Sequence, residues 1–152
     1  MEQLAYQPIG IIRTQYTETK GMPIQAALAQ KSLLAVAEIK ETYMAGLTDL
    51  EQFTHIILIY HFHKSKKAAL VQKPFLDECC HGVFAIRSPH RPNPIGTSIV
   101  ELVFIEKNRI YFKEADMLDK TPLLDIKPFV PEFDNRLMAG SGWVNSKLKD
   151  LK

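Results

Sequence analysis

The sequence predicts a mainly β domain with one or two short helices, and three observations support this prediction. Apolar runs of strand length recur along the chain between turn-forming residues. Six of the nine prolines crowd two segments, which divides the chain into short pieces. No glycine-rich loop follows a predicted strand and opens a helix, so we do not expect a Rossmann fold.

Length and charge limit the possible classes of protein. A chain of 152 residues with 46% hydrophobic and 24% charged residues fits a single domain spanning residues 1–152. The net charge of +2 is too small for nucleic-acid binding through bulk charge alone. Adjacent Cys79 and Cys80 imply no disulfide framework, and no signal peptide or membrane-spanning run is visible. We therefore expect a reduced, cytoplasmic protein that does not enter a membrane.

Five strands and one hairpin turn can be assigned from apolar runs and turn residues. The turn is Lys107-Asn108, and the strands are predicted at Gly10–Thr14, Thr54–Phe62, Gly82–Ile86, Ile95–Ile105 and Arg109–Ala115. The part from Ile99 to Ile105 alternates only at Glu101, so we expect it to be buried on most of both faces.

The region between the first two predicted strands is ambiguous. Gln25–Ile39 is rich in Ala and Leu, which favours a helix, yet Leu34, Val36 and Glu38 could alternate in a strand. The sequence does not decide between a helix and a strand for the first half of this region. A short helix is predicted near Glu41–Ala45.

Charge is segregated more strongly than its total suggests. Lys64–Lys73 contains four lysines and no acidic residue, whereas Glu114–Asp134 contains six acidic residues and two lysines. The lysine segment is either a solvated loop or a patch that contacts phosphates. Both interpretations stay open.

The segment Arg87–Gly96, which reads RSPHRPNPIG, carries the strongest chemical signal. Its three prolines fix φ and remove backbone donors, so it is neither a helix nor an inner strand. Two guanidiniums, an imidazole, a hydroxyl and an amide therefore lie on a stiff loop, as a preorganised small-molecule site requires. Arg suits carboxylate or phosphate recognition, and Asn and Ser suit an adenine edge or a ribose. Alternatively, Pro89–Pro92 is a PxxP turn or a ligand for an aromatic groove.

The acidic segment Asp116–Asp134 is a second candidate region. Asp119 and Thr121 are predicted to lie in a turn, and Leu124–Lys127 in a short strand. Acidic side chains here could hold ribose hydroxyls or a substrate ammonium. Asp116 and Asp119 could instead cap Asx turns.

The histidines do not form a recognisable metal site. His61 and His63 lie on the same side of a predicted strand, but a cupin-type site needs a glutamate a few residues later, and lysines follow. Cys79-Cys80-His81 lacks the two-residue gap of a thiolate clip. We therefore expect no metal, and His63 is predicted to form the polar wall of a pocket.

Several motifs closely resemble the TsaA-like (TrmO, formerly YaeB) family. They are Gly82–Ala85 (GVFA), Arg87–Gly96, and Thr121-Pro122 followed by Leu124–Pro128 (LDIKP), with supporting matches at Ile9-Gly10, Phe62-His63 and Gly142-Trp143. The resemblance covers nearly the whole chain. It implies an antiparallel β-barrel that works as a homodimer and binds S-adenosylmethionine (SAM) outside any Rossmann fold.

The resemblance also implies which residues line the SAM pocket. These are Pro23, Gln25, Phe62, His63, Arg87, Ser88, His90, Arg91, Asn93, Asp116, Leu118 and Thr121. The chain departs from the family pattern at Ile24, where Arg is usual, and at Lys120, where Gly is usual. The candidates for accepting a proton during catalysis are Asp116, Asp119 and His63.

The activity implied by the resemblance is SAM-dependent methylation of tRNA at N6 of adenosine 37, in threonylcarbamoyladenosine next to the anticodon. The tRNA anticodon loop is then a partner, with Lys64–Lys73 as a candidate phosphate contact. Longer family members continue into a C-terminal domain that we expect this chain to lack, so a second copy would complete the pocket. The alternative is a SAM- or nucleotide-binding sensor barrel without turnover, and a metal-dependent cupin-like enzyme is third.

Overall fold

Within residues 2–148 the chain forms eight strands, and six of them, which carry alternating apolar residues, close into an antiparallel barrel. The structure is a computed structural model, and it describes residues 2–148. The strands are β1 (Gly10–Arg13), β2 (Ala35–Ile39), β3 (His55–His61), β4 (Val71–Gln72), β5 (His81–Gly82), β6 (Ile95–Glu106), β7 (Arg109–Lys113) and β8 (Thr121–Pro128). The barrel order is β1-β2-β7-β6-β3-β8, and β8 pairs with β1 to close it. The expected antiparallel β-barrel is thus confirmed.

The chain divides into two compact units. The first contains the residues up to His63 together with Ile95–Phe129, and therefore all six barrel strands. The second contains Lys64–Pro94 together with the residues from Val130 onward. Among residues 2–148, no helix has the length and apolar character needed to cross a membrane.

The core of the first unit lies inside the barrel, because every second residue of each strand faces inward. The strand β3 shows this most simply, since Ile56, Leu58 and Tyr60 are buried between half-buried neighbours. Phe112 of β7 and Leu123 of β8 are also fully buried. Each large apolar side chain removed from water in this way stabilises the fold by about 1.5–3 kcal/mol.

The strand β6 differs from its prediction in one respect. Its inward residues Gly96, Ser98, Val100 and Leu102 are buried, but its outward apolar residues are exposed. The expectation of burial on both faces is therefore wrong, because no second layer within the described residues covers the outer face of this barrel strand. A register shift opposite β7 at Leu102 then interrupts the alternation.

Short 3₁₀ turns connect the barrel strands. The ambiguous region forms a turn at Ala26–Leu28 and the strand β2, so strand pairing decides its second half. The predicted helix near Glu41 is a 3₁₀ helix over Glu41–Leu47, and a further turn covers Leu50–Gln52.

The second unit contains little regular structure. β4 and β5 form a two-stranded pair, followed by a 3₁₀ turn at Val83–Ala85. The predicted strand Gly82–Ile86 is therefore wrong beyond Gly82, because the Ile86 N–H bonds back to the Val83 carbonyl instead of a neighbouring strand. A short helix α1 (Pro131–Asp134) begins with proline, and a 3₁₀ turn covers Gly142–Ser146.

Candidate functional site

The predicted site residues fall in both units, and each group is described within its own unit. The first unit holds Pro23, Gln25, Phe62, His63, Asp116, Leu118 and Thr121. The second unit holds Arg87, Ser88, His90, Arg91 and Asn93.

In the first unit, Asp116 is joined to two buried hydroxyl groups of the barrel interior. The Ser98 hydroxyl on β6 donates to Asp116 Oδ1 at 2.5 Å, and the Tyr60 hydroxyl on β3 lies 2.9 Å from Ser98 Oγ. Ser98 and Tyr60 are only 4% and 3% exposed. Sequence reasoning missed both residues, although a serine at an inward position among buried apolar residues of β6 is a signal that could have found Ser98.

Phe62 lies at the same end of the barrel as Tyr60. Their rings meet edge to face, with centroids 5.4 Å apart and an interplanar angle of 83°. Both rings approach Gly96 of β6 so closely that a Cβ there would lie 2.7 Å from Cζ of each. The glycine of the motif Arg87–Gly96 therefore provides the space in which these two aromatic rings pack.

Three further predicted residues, His63, Leu118 and Thr121, meet at the start of β8. The Thr121 hydroxyl donates to the Leu118 carbonyl at 2.7 Å and lies 3.4 Å from His63 Nδ1. Because the threonine has already donated its one proton, the imidazole must supply the proton between them. This contact favours the Nδ1–H tautomer, which places the acceptor lone pair of the ring on Nε2.

Asp119 has a structural contact with the end of β1. Its Oδ1 accepts the Thr14 N–H at 3.2 Å, and its own N–H donates to the Tyr16 carbonyl at 2.7 Å. The Thr14 hydroxyl also donates to the Met117 carbonyl at 2.9 Å. Asp119 thus joins two segments about a hundred residues apart in the chain through a side-chain-to-backbone contact, and this contact is not the local Asx turn considered as the alternative.

The other acidic residues of Glu114–Asp134 do not form one acidic surface. Glu114 is buried and pairs with Lys31 at 3.5 Å, and Asp125 pairs with Lys127 at 3.0 Å. Asp134 accepts the Val130 N–H at the start of α1. Two of the six acidic residues in this segment, Glu114 and Asp125, are therefore paired with lysines.

Pro23 and Gln25 lie in the connection between β1 and β2. Both are half-buried, and Gln25 directly precedes the 3₁₀ turn at Ala26–Leu28. The Gln25 amide donates to the Ile24 carbonyl at 2.8 Å. The usual family arginine is absent at Ile24, whose side chain is exposed.

In the second unit, internal hydrogen bonds order the proline loop Arg87–Pro94. Ser88 accepts the His90 N–H, and the Arg91 N–H donates to the Pro89 carbonyl at 3.0 Å. The Arg91 guanidinium donates to the Ile86 carbonyl at 3.2 Å. The loop is therefore stiffened by side chains as well as by its prolines.

The lysine segment Lys64–Lys73 is bonded to this loop. The Lys66 N–H donates to His90 Nδ1 at 3.0 Å, and the Ser65 hydroxyl donates to the Pro89 carbonyl at 2.7 Å. Gln72 accepts the Ser88 hydroxyl at 2.6 Å and donates to the His90 carbonyl at 2.6 Å. Because Nδ1 of His90 accepts a backbone N–H, its ring proton resides on Nε2. Sequence reasoning missed Ser65 and Gln72, which precede the recognised motif.

A cluster elsewhere in the second unit joins β5 to the last 3₁₀ turn. Asp77 Oδ2 lies 3.0 Å from His81 Nε2, and Asp77 Oδ1 lies 3.1 Å from Lys147 Nζ. The hydrogen bond from His81, followed by that from Lys147, holds the pKa of Asp77 well below its ordinary value. The His81 ring stacks on Trp143, with centroids 4.2 Å apart.

Cys79 and Cys80 both have free, exposed thiols. Within residues 2–148, no group of three or more His, Cys, Asp or Glu side chains could hold a metal ion. His81, which the sequence suggested as a possible ligand, instead contacts Asp77.

Comparison with known proteins finds one matching family. Residues 11–135 match the tRNA-methyltransferase O N-terminal domain. A probable S-adenosyl-L-methionine-binding protein of Pyrococcus abyssi is 48% identical over 149 residues, which cover 98% of this chain and 80% of that protein. The human tRNA (adenine(37)-N6)-methyltransferase is 36% identical over 138 residues, which cover 87% of this chain and 31% of that protein.

Solved structures show the same fold. The crystal structure of TrmO from Pseudomonas aeruginosa has a TM-score of 0.79 and 35% identity, covering 93% of this chain and 63% of that chain. This chain therefore spans about a third of the human relative and less than two thirds of the solved protein.

Proposed function

Because the chain belongs to the tRNA-methyltransferase O N-terminal domain family, we propose that it is a SAM-dependent methyltransferase that modifies N6 of adenosine 37 in tRNA. The acceptor we propose is threonylcarbamoyladenosine. The observation that carries this proposal is the donor-rich proline loop, held in a fixed conformation and bonded to a basic segment. We place the activity in the cytoplasm and treat residues 1–152 as one domain of this family.

Each unit offers side chains that suit parts of SAM, which has a carboxylate, an ammonium, a ribose diol and an adenine. In the second unit, Arg87 and Arg91 suit the carboxylate, and Ser88 and Asn93 suit polar edges. In the first unit, the aromatic ring of Phe62 suits adenine, and the Asp116 carboxylate suits cations and hydroxyls. When bound, SAM supplies an electrophilic sulfonium methyl group.

In the proposed reaction, the site residues of this chain have two tasks. They must hold the acceptor amine in line with the methyl group, because such positioning supplies much of the acceleration of a displacement reaction. They must also take the proton that the amine loses. We assign the second task to His63, because an imidazole nitrogen can accept a proton and this ring is positioned beside Thr121. Asp119 suits it least, because its carboxylate accepts the Thr14 N–H.

The lysine segment is the proposed contact with tRNA phosphates. Lys66 and Lys67 are exposed, and the backbone N–H of Lys66 itself is bonded to His90 of the proline loop. An anticodon loop is single-stranded, so its base can enter a pocket without melting a duplex. If each lysine neutralises one phosphate, Lys66→Gln with Lys67→Gln should reduce the salt slope of tRNA binding by roughly 1.4. The matched control is Lys20→Gln with Lys40→Gln, and an unchanged slope in the first variant would contradict the phosphate contact.

We further propose that the chain works as a homodimer. The outer face of β6 carries Ile99, Val103 and Phe104, which are 45%, 40% and 44% exposed. The same face carries the ion pair between Glu101 and Lys113. In the proposed two-fold contact, this face of one copy packs against the same face of the second copy.

Calorimetry and a methyl-transfer assay test the proposed function together. We expect the purified chain to bind SAM and to transfer labelled methyl groups to tRNA that contains threonylcarbamoyladenosine, but not to tRNA lacking it. Arg87→Ala should weaken SAM binding about tenfold, because it removes a charged donor. Arg109→Ala, at the exposed first residue of β7, is the matched control and should bind as the wild type does. Absence of SAM binding by the wild-type chain would refute the proposal.

The same assay separates the enzyme from a sensor. The Pyrococcus abyssi relative is described only as a probable SAM-binding protein, and that description also fits a barrel without turnover. SAM binding with no label transferred to any tRNA would establish the sensor in place of the enzyme.

A further inference from the structure

We propose that Tyr60 and Ser98 are positioning residues that fix the Asp116 carboxylate, in its ionised form, as the acceptor for hydrogen-bond donors of SAM. This inference rests on the proposed function. The inference adds two residues from inside the barrel to the proposed SAM site, and neither residue belongs to the sequence motifs. All three residues lie in the first unit.

The contacts define a direction for the hydrogen bonds. Ser98 donates its single hydroxyl proton to Asp116 Oδ1, so Ser98 can only accept from Tyr60. The order is therefore Tyr60 to Ser98 to Asp116, with every proton directed toward the carboxylate. The distance of 2.5 Å from Ser98 to Asp116 is that of a hydroxyl bound to a charged oxygen.

The barrel holds this chain of hydroxyls rigidly. Ser98 and Tyr60 come from neighbouring strands β6 and β3, in which Ser98 pairs with Leu58 and Tyr60 pairs with Gly96. The Tyr60 ring lies against Gly96, which has no side chain to displace it. Since both hydroxyls are buried, water competes little for the two hydrogen bonds.

The direction of these bonds also decides what Asp116 can do. A carboxylate that accepts a hydrogen bond from a polarised hydroxyl is stabilised in its charged form and is a weaker base. Asp116 is therefore suited to hold the ammonium or the ribose hydroxyls of the cofactor rather than to take a proton from the substrate. Proton transfer is then assigned to His63, which contacts Thr121 and is not part of the hydrogen-bond chain from Tyr60 to Asp116.

The inference is tested by calorimetry on the full chain with SAM and with S-adenosylhomocysteine. Ser98→Ala removes the donor to Asp116, and Tyr60→Phe removes only a hydroxyl while keeping the ring beside Gly96. We expect SAM binding to weaken about tenfold in the first variant and about threefold in the second. S-Adenosylhomocysteine should lose the same factors, because it keeps every N–H and O–H donor and lacks only the methyl group and the positive charge of the sulfonium.

The pH dependence of SAM affinity separates positioning from a general effect on folding. SAM affinity should fall in acid as the Asp116 carboxylate becomes protonated. In Ser98→Ala this fall should begin at a higher pH than in the wild type, because the carboxylate has lost a hydrogen-bond donor that favours its charge. Ser98→Thr restores the hydroxyl and should restore the profile. The double variant of Tyr60→Phe with Ser98→Ala leaves no unpaired tyrosine hydroxyl, so it replaces Ser98→Ala if that variant does not fold.

Exposed residues of the same types provide the controls. Tyr43→Phe and Ser32→Ala should bind SAM as the wild type does, at every pH. Wild-type affinity in both barrel variants would overturn the inference, and so would weaker binding with an unshifted pH profile. A wild-type chain that binds no SAM would instead overturn the proposed function, and the inference with it.

Discussion

The ring of Tyr60 on β3 packs against the backbone of Gly96 on β6, its directly paired neighbour in the barrel. A Cβ at position 96 would lie 2.7 Å from Cζ of this ring, well inside van der Waals contact. Gly96 also ends the proline-rich motif, so one residue connects the motif to the interior of the barrel. Its role is to provide space rather than unusual backbone angles.

Replacement of Gly96 therefore tests the packing of this end of the barrel. Gly96→Ala should lower the free energy of unfolding by about 1–3 kcal/mol, because the buried ring of Tyr60 and the half-buried ring of Phe62 must move. Urea unfolding measures this loss. Gly82→Ala is the matched control, since a Cβ there meets nothing within 4 Å and φ is −62°. Equal stability of the two variants would contradict the close approach.

Asp119 is expected to stabilise the fold rather than to act in catalysis. Asp119→Ala removes the acceptor of the Thr14 N–H and should cost about 1–2 kcal/mol of unfolding free energy. Asp119→Asn keeps a side-chain oxygen for this contact, so it should retain both stability and methyl transfer. Thermal unfolding and a transfer assay measure the two effects. A folded Asp119→Asn variant without transfer activity would show that the carboxylate itself takes part in the reaction.

Lys120 adopts a left-handed backbone with φ of 64°, a conformation that favours glycine. In this conformation a residue with a Cβ is destabilised by about 1–2 kcal/mol. Glycine avoids this strain, but it loses more conformational entropy on folding, which offsets part of the stabilisation. Lys120→Gly should therefore raise the free energy of unfolding by about 0.5–1 kcal/mol. Lys40→Gly is the control, because Lys40 has φ of −59°, and it should lower stability. Destabilisation by Lys120→Gly would contradict the assignment of strain.

The exposed outer face of β6 predicts the oligomeric state. The wild-type chain should have the mass of a dimer in light scattering, and Ile99→Glu should yield a monomer because two buried carboxylates would repel each other. Leu4→Glu changes an apolar residue that is 76% exposed and should leave the dimer intact. A wild-type monomer, or a dimer that survives Ile99→Glu, would exclude this face as the interface.

The contacts of Asp77 predict a loss of stability in acid. Its pKa is depressed in the folded state, chiefly by His81, so its contribution is fully present above the ordinary value of about 3.9. That contribution is lost as the pH falls toward the folded-state value. Asp77→Asn should therefore reduce stability by a constant amount above about pH 5, and by a shrinking amount below about pH 4.

Fluorescence of Trp143, the single tryptophan, reports this unfolding because its indole stacks on His81. Glu78→Gln is the matched control, since Glu78 pairs with Lys73 at the surface and should contribute little. A difference between Asp77→Asn and the wild type that persists unchanged to pH 2 would contradict the predicted linkage.

Local patterns were sufficient for several elements of the fold. The strands β3 and β6 and the turn at Lys107-Asn108 were predicted from apolar runs and turn residues, and the structure confirms them. The segment Gly82–Ile86 was predicted wrongly, because its residue types suit a strand but only Gly82 has a strand partner. Strand pairing depends on the rest of the chain, so residue types alone could not reveal this.

The candidate site was likewise only partly predictable from local sequence patterns. The proline loop was identified from composition, because closely spaced prolines dictate a stiff loop whatever surrounds it. The resemblance to a family then supplied the names of the residues expected to bind SAM, and that assignment remains a prediction. Neither source pointed to Tyr60 or Ser98, since Ser98 and Asp116 are 18 residues apart and Tyr60 and Ser98 are 38 apart.

The amino-acid sequence alone was enough to establish the stiff donor-rich loop, the basic segment and the β class, since each follows from residue types within a few positions of one another. The closed barrel, the exposed outer face of β6 and the direction of hydrogen bonds toward Asp116 were decided only in three dimensions. The physical reason is that closure pairs β1 with β8, more than a hundred residues apart, and only that closure determines which side chains face inward.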